Sequence, residues 1–188
     1  RIVISSVTKP ENRRFSNMNF AAAAKLAGYD EPTDFMCELL CDEDGKVGII
    51  LLSMDPKDVD TIAKLPWSMI IADSLYGISD CPHPRLYGSF PKVLRDFVRE
   101  RGVLTLPQAI HKMTAMPAAR LGLNDRGVIE VGRKADIAVF DPASIADHAT
   151  YDNPKQLCTG LRATLINGKI AVENDTLRRR DCGITIKK

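Results

Sequence analysis

The sequence has 188 residues, of which 45% are hydrophobic and 27% are charged, and its formal net charge at pH 7 is +2. This length suits one domain, or one domain with a small appendage, in an ordinary soluble globular protein. The near balance of acidic and basic residues gives no electrostatic basis for binding nucleic acid, and no apolar run approaches the roughly 20 residues that span a bilayer.

The first two thirds of the chain alternate helical patterns with short apolar runs. We predict helices at residues 19–28, 31–41, 55–63, 90–101, 105–114 and 117–122, and strands at 1–6, 47–52 and 67–73. Residues 10–17 and 77–88 are expected to be loops. The run at 67–73 is apolar and ends in Asp73, which is typical of a strand buried on both faces in a parallel sheet. Thr105 and Gln108 have the spacing of a capping box.

From Asp125 onward the segments are short and rich in β-formers. We predict strands at residues 128–131, 136–140, 163–166 and 169–172. Asn167-Gly168 separates the last two, and this dipeptide favours a tight hairpin turn. The chain is therefore divided into an α/β part, residues 1–124, and a β-rich appendage, residues 125–188.

The cysteines and the first residues bear on the cellular setting. None of the five cysteines forms a C-x-x-C pair, and their spacing is not that of a disulfide framework. Reduced thiols in a cytoplasmic protein are the simplest interpretation. The sequence opens with Arg1 inside an apolar run and without an initiator Met, which we interpret as a cut in a longer protein.

Asp73 is the most informative residue, because it follows a predicted buried strand. In barrels and open α/β sheets the catalytic face lies at the carboxyl ends of the strands. A carboxylate there binds a metal or acts as a general acid and base. A side chain that caps a turn is the alternative, and the pattern alone leaves both open.

The loop that holds His83 and Arg85 is the second candidate. The planar guanidinium of Arg85 suits a carboxylate, and His83 is suited to bind a metal or carry a proton. Taken alone, each residue also fits a packing role in a rigid Pro-rich loop. The glycine-containing segment 127–141 is interpreted as a structural turn between two strands.

Four blocks of this sequence resemble the N-acyl-D-amino-acid deacylases, or D-aminoacylases, of the amidohydrolase superfamily. They are Ile-Ile-Ala-Asp-Ser at residues 70–74, His-Pro-Arg-Leu-Tyr-Gly-Ser-Phe-Pro-Lys-Val-Leu at 83–94, Ala-Ile-His-Lys-Met-Thr-Ala-Met-Pro-Ala at 109–118, and 126–141 with the later strands and Asn167-Gly168. The second block is the most specific, and the last two recur across the superfamily. Together they cover residues 55–172.

The resemblance implies an α/β fold: the C-terminal portion of a TIM barrel with part of a small β-rich, β-sandwich-like appendage. Asp73 would then lie on the last barrel strand, near one or two zinc ions. It would serve as a metal ligand and as the catalytic group that moves a proton from water to the leaving amine. Arg85, and more weakly His83, would bind the carboxylate of the substrate.

The chain also departs from the family pattern. Its only histidines are His83, His111 and His148, so the H-x-H pair and the later histidine ligands are missing. Ala72 stands where the family often has Ser, and Ser74-Leu75 replaces its usual Gly. Tight zinc sites need three or four protein ligands. We therefore expect zinc in the full-length protein, none held tightly by this chain alone, and no activity from this chain alone.

The expected activity of the full-length protein is hydrolysis of the amide bond of N-acyl-D-amino acids. A hydantoinase-like or dihydroorotase-like cyclic amidase is one alternative, and a non-catalytic binding or assembly module derived from an amidohydrolase is another. The expected partner is the small-molecule substrate, with neither nucleic acid nor membrane. Open strand edges invite pairing with another chain, so we also expect a homo-oligomer.

Overall fold

The structure is a computed structural model that describes residues 2–74 and 81–186. It contains two units, each assembled from separate stretches of chain. Unit 1 comprises Arg1–Pro56, Asp73–Tyr87 and Ala149–Gln156; unit 2 comprises Lys57–Ala72, Gly88–His148 and Leu157–Lys188. The division at residue 124 stays a prediction from sequence pattern. Leu75 and the first part of the loop predicted at 77–88 lie outside the described residues.

Unit 1 contains two strands and three helices before residue 56. They are β1 (Ile2–Ser6), a 3-10 helix (Pro10–Phe15), α1 (Phe20–Ala27), α2 (Pro32–Asp42) and β2 (Gly48–Leu51). β1 pairs with β2 in antiparallel orientation, with Ile2 opposite Leu51. These strands and both α-helices confirm the sequence patterns. The 3-10 helix corrects the loop predicted at residues 10–17.

The core of unit 1 forms where the Ala-rich face of α1 meets α2. Ala23 and Ala24 are fully buried and let the helices approach closely, while Phe35 of α2 is 3% exposed. The Phe35 ring packs edge-on against Phe15, with ring centroids 5.1 Å apart. Gly28 ends α1 at φ +89°, a left-handed conformation that glycine adopts without steric cost.

A buried carboxylate connects the end of α2 to the segment after β1. Glu43 is only 1% exposed. It accepts hydrogen bonds from the backbone N–H and hydroxyl of Thr8, from the N–H of Lys9 at 3.1 Å, and from Nδ2 of Asn12 at 2.7 Å. Burial alone raises the pKa of Glu43, but the hydrogen bonds from Thr8, Asn12 and Lys9 outweigh burial and lower the pKa to about 2.

We expect Glu43→Gln to lower the free energy of unfolding by about 2–3 kcal/mol at neutral pH, because the amide loses the charge and one acceptor oxygen. The folded pKa of about 2 lies below the ordinary value of 4.5. The stabilisation is therefore present above pH 4.5 and is lost as the pH falls from 4.5 towards 2. Urea unfolding across this range measures both effects. Glu31→Gln is the control, since Glu31 is exposed; equal sensitivity of the two variants would contradict the assignment.

Unit 2 carries most of the remaining helices and a four-stranded sheet; Arg85–Tyr87, at the start of one of these helices, belong to unit 1. The elements that follow residue 55 are α3 (Pro56–Lys64), α4 (Arg85–Lys92), which continues as a π-helix (Val93–Glu100), α5 (Leu106–Met113), α6 (Ala115–Leu121), β3 (Ile137–Phe140), β4 (Leu161–Ile166), β5 (Lys169–Glu173) and β6 (Thr176–Leu177). The sheet order is β3-β4-β5-β6, and every neighbouring pair is antiparallel.

Capping and turn residues position these elements as their side chains predict. Thr105 and Gln108 form the expected capping box at α5. Asn167 and Gly168 have φ of +49° and +75°, which suits the tight turn between β4 and β5. β6 was not predicted; it follows a second tight turn at Asn174-Asp175, where both residues have positive φ.

Two predicted strands are wrong. Residues 67–73 and 128–131 are irregular, and Ile71 and Ile129 expose 67% and 89% of their surface. A strand requires a neighbour for its backbone hydrogen bonds, and in the described part of the chain no strand is paired with either segment. Within residues 2–74 and 81–186 all strand pairs are antiparallel, so the predicted parallel barrel strand is not formed. The β-sandwich stays a prediction.

The segment before Asp73 is held by a lysine instead of by neighbouring strands. Lys112 of α5 is 5% exposed. Its Nζ donates to the carbonyl of Leu65 and to the carbonyl and hydroxyl of Ser68, the latter two at 2.9 and 3.0 Å. Its carbonyl accepts from the N–H of Ile70 at 3.1 Å. These bonds fix residues 65–70 against α5.

Candidate active site

Asp73 lies in irregular chain at the start of the second stretch of unit 1. Its φ is +45°, a left-handed conformation that Asp tolerates better than most residues. Its side chain is 74% exposed. The carboxylate is thus open to solvent and to a ligand, although the strand that was predicted to present it is not formed.

Arg85 is the first residue of α4, which corrects its predicted place in a loop. Its Nη2 lies 3.2 Å from Oδ2 of Asp73, and its side chain is 47% exposed. The structure therefore brings together the two residues singled out for catalysis and for substrate binding. An ion pair this exposed contributes about 0–1 kcal/mol, so a competing anion opens it at little cost.

His83 lies two residues before the start of α4, and its side chain contacts the backbone of Arg85. The N–H of Arg85 donates to Nδ1 of His83 at 3.1 Å. Since a backbone N–H only donates, Nδ1 carries no proton, and in the neutral ring Nε2 carries it. Nε2 lies 3.5 Å from the hydroxyl of Tyr151. All three predicted site residues thus belong to one cluster in unit 1.

Tyr151 and Cys81 also belong to this cluster and were not predicted as site residues. Tyr151 packs edge-on against His83, with ring centroids 5.3 Å apart at 79°. The thiol of Cys81 donates to the carbonyl of Tyr151 at 3.4 Å. Burial, and to a lesser degree the charge of Asp152, raise the pKa of the Cys81 thiol, which favours its protonated form. No spacing rule relates residue 151 to residue 83.

The described residues do not fit a complete zinc site. No three His, Cys, Asp or Glu side chains are grouped for a metal within residues 2–74 and 81–186. His83 uses Nδ1 for the N–H of Arg85. His148 belongs to unit 2, where its Nε2 lies 2.9 Å from the hydroxyl of Thr159. Asp73 is the residue predicted from the sequence to bind the metal, and in the described part of the chain it belongs to no group of three such side chains.

The cluster places a proton acceptor beside a cation. The exposed carboxylate of Asp73 has the chemistry to take a proton from water. The guanidinium of Arg85 has the fork geometry that binds a carboxylate through two hydrogen bonds. Together, the carboxylate and the guanidinium suit a small anionic substrate. The guanidinium would bind its anionic group, and the carboxylate would act as the base that helps to break an uncharged bond.

Sequence comparisons match most of the chain. The pattern of the amidohydrolase family covers residues 44–172. An N-acyl-D-aspartate deacylase of Alcaligenes xylosoxydans xylosoxydans is 40% identical over 153 residues, which are 76% of this chain and 30% of that protein. A D-aminoacylase of the same organism is 42% identical over 121 residues, or 64% of this chain and 25% of the relative.

Solved structures that are similar to this chain also include a D-aminoacylase and an N-acyl-D-glutamate deacylase. A D-aminoacylase crystal structure superposes with a TM-score of 0.87 at 33% identity, covering 97% of this chain and 37% of that one. N-acyl-D-glutamate deacylase from Bordetella bronchiseptica, solved with zinc and a phosphonate mimic of the tetrahedral intermediate, superposes with a TM-score of 0.82 at 36% identity, covering 90% and 34%. The chain thus spans about a third of the length of these relatives.

Proposed function

The chain belongs to the amidohydrolase family, and from that premise we propose that the whole protein hydrolyses the amide bond of N-acyl-D-amino acids. The observation that carries the proposal is the pairing of Asp73 with Arg85 at 3.2 Å, a base beside a carboxylate-binding cation. The likeness to three deacylases of N-acyl-D-amino acids, at 40–44% identity, supports the substrate class.

In the proposed reaction, the carboxylate of the substrate takes the place of Asp73 on the Arg85 guanidinium. Release from the ion pair leaves the Asp73 carboxylate to accept a proton from water. The hydroxyl bonds to the amide carbon, the C–N bond breaks, and the proton passes from Asp73 to the leaving nitrogen. The products are a carboxylate and a free D-amino acid. His83 lies beside Arg85, whose backbone N–H donates to its Nδ1.

We further propose that the full-length protein uses zinc and that Asp73 is one of its ligands. A D-aminoacylase with a binuclear metal centre and a zinc-containing deacylase are among the solved relatives. Zinc would polarise the amide carbonyl and activate water. Residues 2–74 and 81–186 supply too few ligands to complete that site, and the remaining ligands are proposed to lie outside these residues.

This chain alone is expected to hold no stoichiometric zinc, because a single carboxylate is far short of the ligand number of a stable site. Elemental analysis of the purified chain after dialysis against a chelator measures the content. The full-length protein, treated identically, is the comparison and should retain more. One zinc per chain that survives the chelator would show that this chain holds a complete site.

The proposed function is tested by assaying the full-length protein on N-acetyl-D-aspartate, N-acetyl-D-glutamate and N-acetyl-D-leucine, with their L-enantiomers and two cyclic ureides, hydantoin and dihydroorotate. Release of a free D-amino acid is expected. The cyclic amidase is retained as the second candidate because a Lactobacillus acidophilus dihydroorotase is 31% identical over 47% of this chain. Turnover of the ureides alone would favour it, and no turnover of any substrate would favour a binding module.

Among the described residues, no helix has the length and apolar character to cross a membrane. All five cysteines are free thiols. Reduced cysteines support the proposal that the protein is cytoplasmic.

A homo-oligomer is expected, because unit 2 exposes neighbouring apolar side chains. Val128 is partly exposed, and Ile129 and Val131 are almost fully exposed. Patches of this kind are buried between chains. Light scattering at several concentrations should give a mass above that of one chain. Ile129→Glu with Val131→Glu should dissociate the oligomer, whereas Leu26→Glu on α1 should not. A monodisperse monomer of the unaltered chain would refute the expectation.

A further inference from the structure

The imidazole of His83 caps the start of α4. The first N–H groups of a helix have no intrahelical partner, and the N–H of Arg85 at the start of α4 donates to Nδ1 of His83 at 3.1 Å. Asp and Asn side chains make the same contact when they accept from the N–H two residues further on. The carbonyl of His83 also accepts from the N–H of Leu86 at 3.0 Å, which closes the turn.

Tyr151 holds this imidazole from its other side. The two rings meet edge to face, with centroids 5.3 Å apart at 79°, an arrangement that aromatic pairs prefer. The hydroxyl of Tyr151 lies 3.5 Å from Nε2 and receives its proton in a long hydrogen bond. The thiol of Cys81 donates to the Tyr151 carbonyl, which ties Tyr151 to the segment that leads into His83.

Arg85 connects the paired rings of His83 and Tyr151 to Asp73. Its backbone N–H is fixed by His83, and its guanidinium lies 3.2 Å from the Asp73 carboxylate. Rotation of the imidazole would withdraw Nδ1 and loosen the first turn of α4, from which the Arg85 side chain extends. Within unit 1, therefore, Tyr151 contacts His83, His83 contacts Arg85, and Arg85 contacts Asp73.

From these contacts we propose that Tyr151 and His83 are positioning residues: Tyr151 orients the imidazole of His83, and His83 holds Arg85 where it binds the substrate carboxylate. The inference rests on the function proposed for Arg85. In this role His83 touches neither the substrate nor a metal. Loss of either residue misplaces the guanidinium, and such misplacement weakens substrate binding more than the chemical step.

Variants of His83 in the full-length protein distinguish a role in capping α4 from a role in the chemical reaction. Asn accepts a backbone N–H but carries no imidazole. His83→Asn should keep KM within about 3-fold of wild type, whereas His83→Ala should raise KM about 10-fold with kcat little changed. His148→Ala is the control for loss of an exposed histidine. If Asn proves as damaging as Ala, the imidazole takes part in chemistry or binding, and the inference is overturned.

Variants of Tyr151 test the second contact. Tyr151→Phe retains the edge-to-face ring and should stay close to wild type, whereas Tyr151→Ala should raise KM as His83→Ala does. Because both act through Arg85, the double variant should be no worse than His83→Ala alone. Additive losses in the double variant would mean that Tyr151 acts independently of His83.

A readout that needs no activity distinguishes this inference from the proposed function. In the full-length protein labelled with 15N-histidine, long-range 1H–15N correlation reports which ring nitrogen carries the proton, and the His83→Asn variant assigns the signal. The Nε2–H tautomer is expected in wild type and a mixture of tautomers in Tyr151→Ala. An Nδ1–H tautomer in wild type would overturn the capping role even if the protein is an active deacylase. An inactive protein with the expected tautomer would overturn only the proposed function.

Discussion

Asp73→Asn in the full-length protein is expected to abolish measurable turnover of N-acyl-D-amino acids while the protein stays folded. An amide does not accept the proton that the carboxylate takes from water. General acid–base catalysis contributes about 10²- to 10⁴-fold to rate, and kcat should fall by at least this much. Steady-state kinetics measures the loss, and circular dichroism verifies folding. Asn tolerates the left-handed conformation of residue 73 at least as well as Asp.

Asp44→Asn is the matched control for this substitution. Asp44 is exposed and has φ of +51°, close to the +45° of Asp73. The two variants therefore impose the same chemical change on the same backbone conformation. Activity of Asp73→Asn within a few-fold of wild type would leave Asp73 as a turn residue.

Arg85→Ala is expected to raise KM for N-acyl-D-amino acids by about 10- to 150-fold, the equivalent of roughly 1.5–3 kcal/mol from the lost charge-assisted hydrogen bonds. The effect on kcat should be smaller, because the carboxylate that Arg85 binds does not change during the reaction. Arg85→Lys should recover only part of the loss, since an ammonium does not form the two parallel hydrogen bonds of a guanidinium.

Arg13→Ala provides the control for loss of an exposed positive charge in the same unit. Arg13 lies in the last turn of the 3-10 helix and is exposed. Its removal should leave KM unchanged. An unchanged KM in Arg85→Ala would assign that residue to the stability of α4, and the substrate carboxylate would then need another cation.

Local sequence signals predicted the elements whose structure depends on neighbouring residues. The capping box of Thr105 and Gln108 fixes the start of α5, and Asn167-Gly168 fixes the β4–β5 hairpin. In both places the hydrogen bonds or dihedral angles that decide the structure lie within a few residues. The same type of signal, Asn174-Asp175, marks the turn before β6 and was overlooked.

Sequence patterns gave wrong predictions where the structure depends on residues that are distant in the chain. The apolar run at residues 67–73 has the composition of a buried strand, yet Lys112 binds Leu65 and Ser68 and its carbonyl holds the N–H of Ile70. Composition predicts that a segment is able to form a strand, but only a neighbouring strand makes it one. The segment at 128–131 fails for the same reason.

The sequence predicted which residues form the candidate site, but it did not predict their geometry. Asp73, Arg85 and His83 were selected from their chemistry and from the family resemblance, and the structure gathers all three. The ion pair of Asp73 with Arg85 depends on a helix start that was expected to be a loop. Tyr151 follows His83 by 68 residues in the chain, and only the folded backbone brings its ring to the imidazole.

The two kinds of strand pairing are expected to form at different rates when this chain folds. β4 and β5 are joined by a two-residue turn, and hairpins of this kind close in about 1–10 μs. β1 reaches β2 only after the whole segment between Ser6 and Gly48 has been drawn together, with Ile2 opposite Leu51, and the entropy of that closure slows the pairing. During refolding, the amide protons of the β4–β5 hairpin are therefore expected to gain protection from exchange before those of the β1–β2 ribbon.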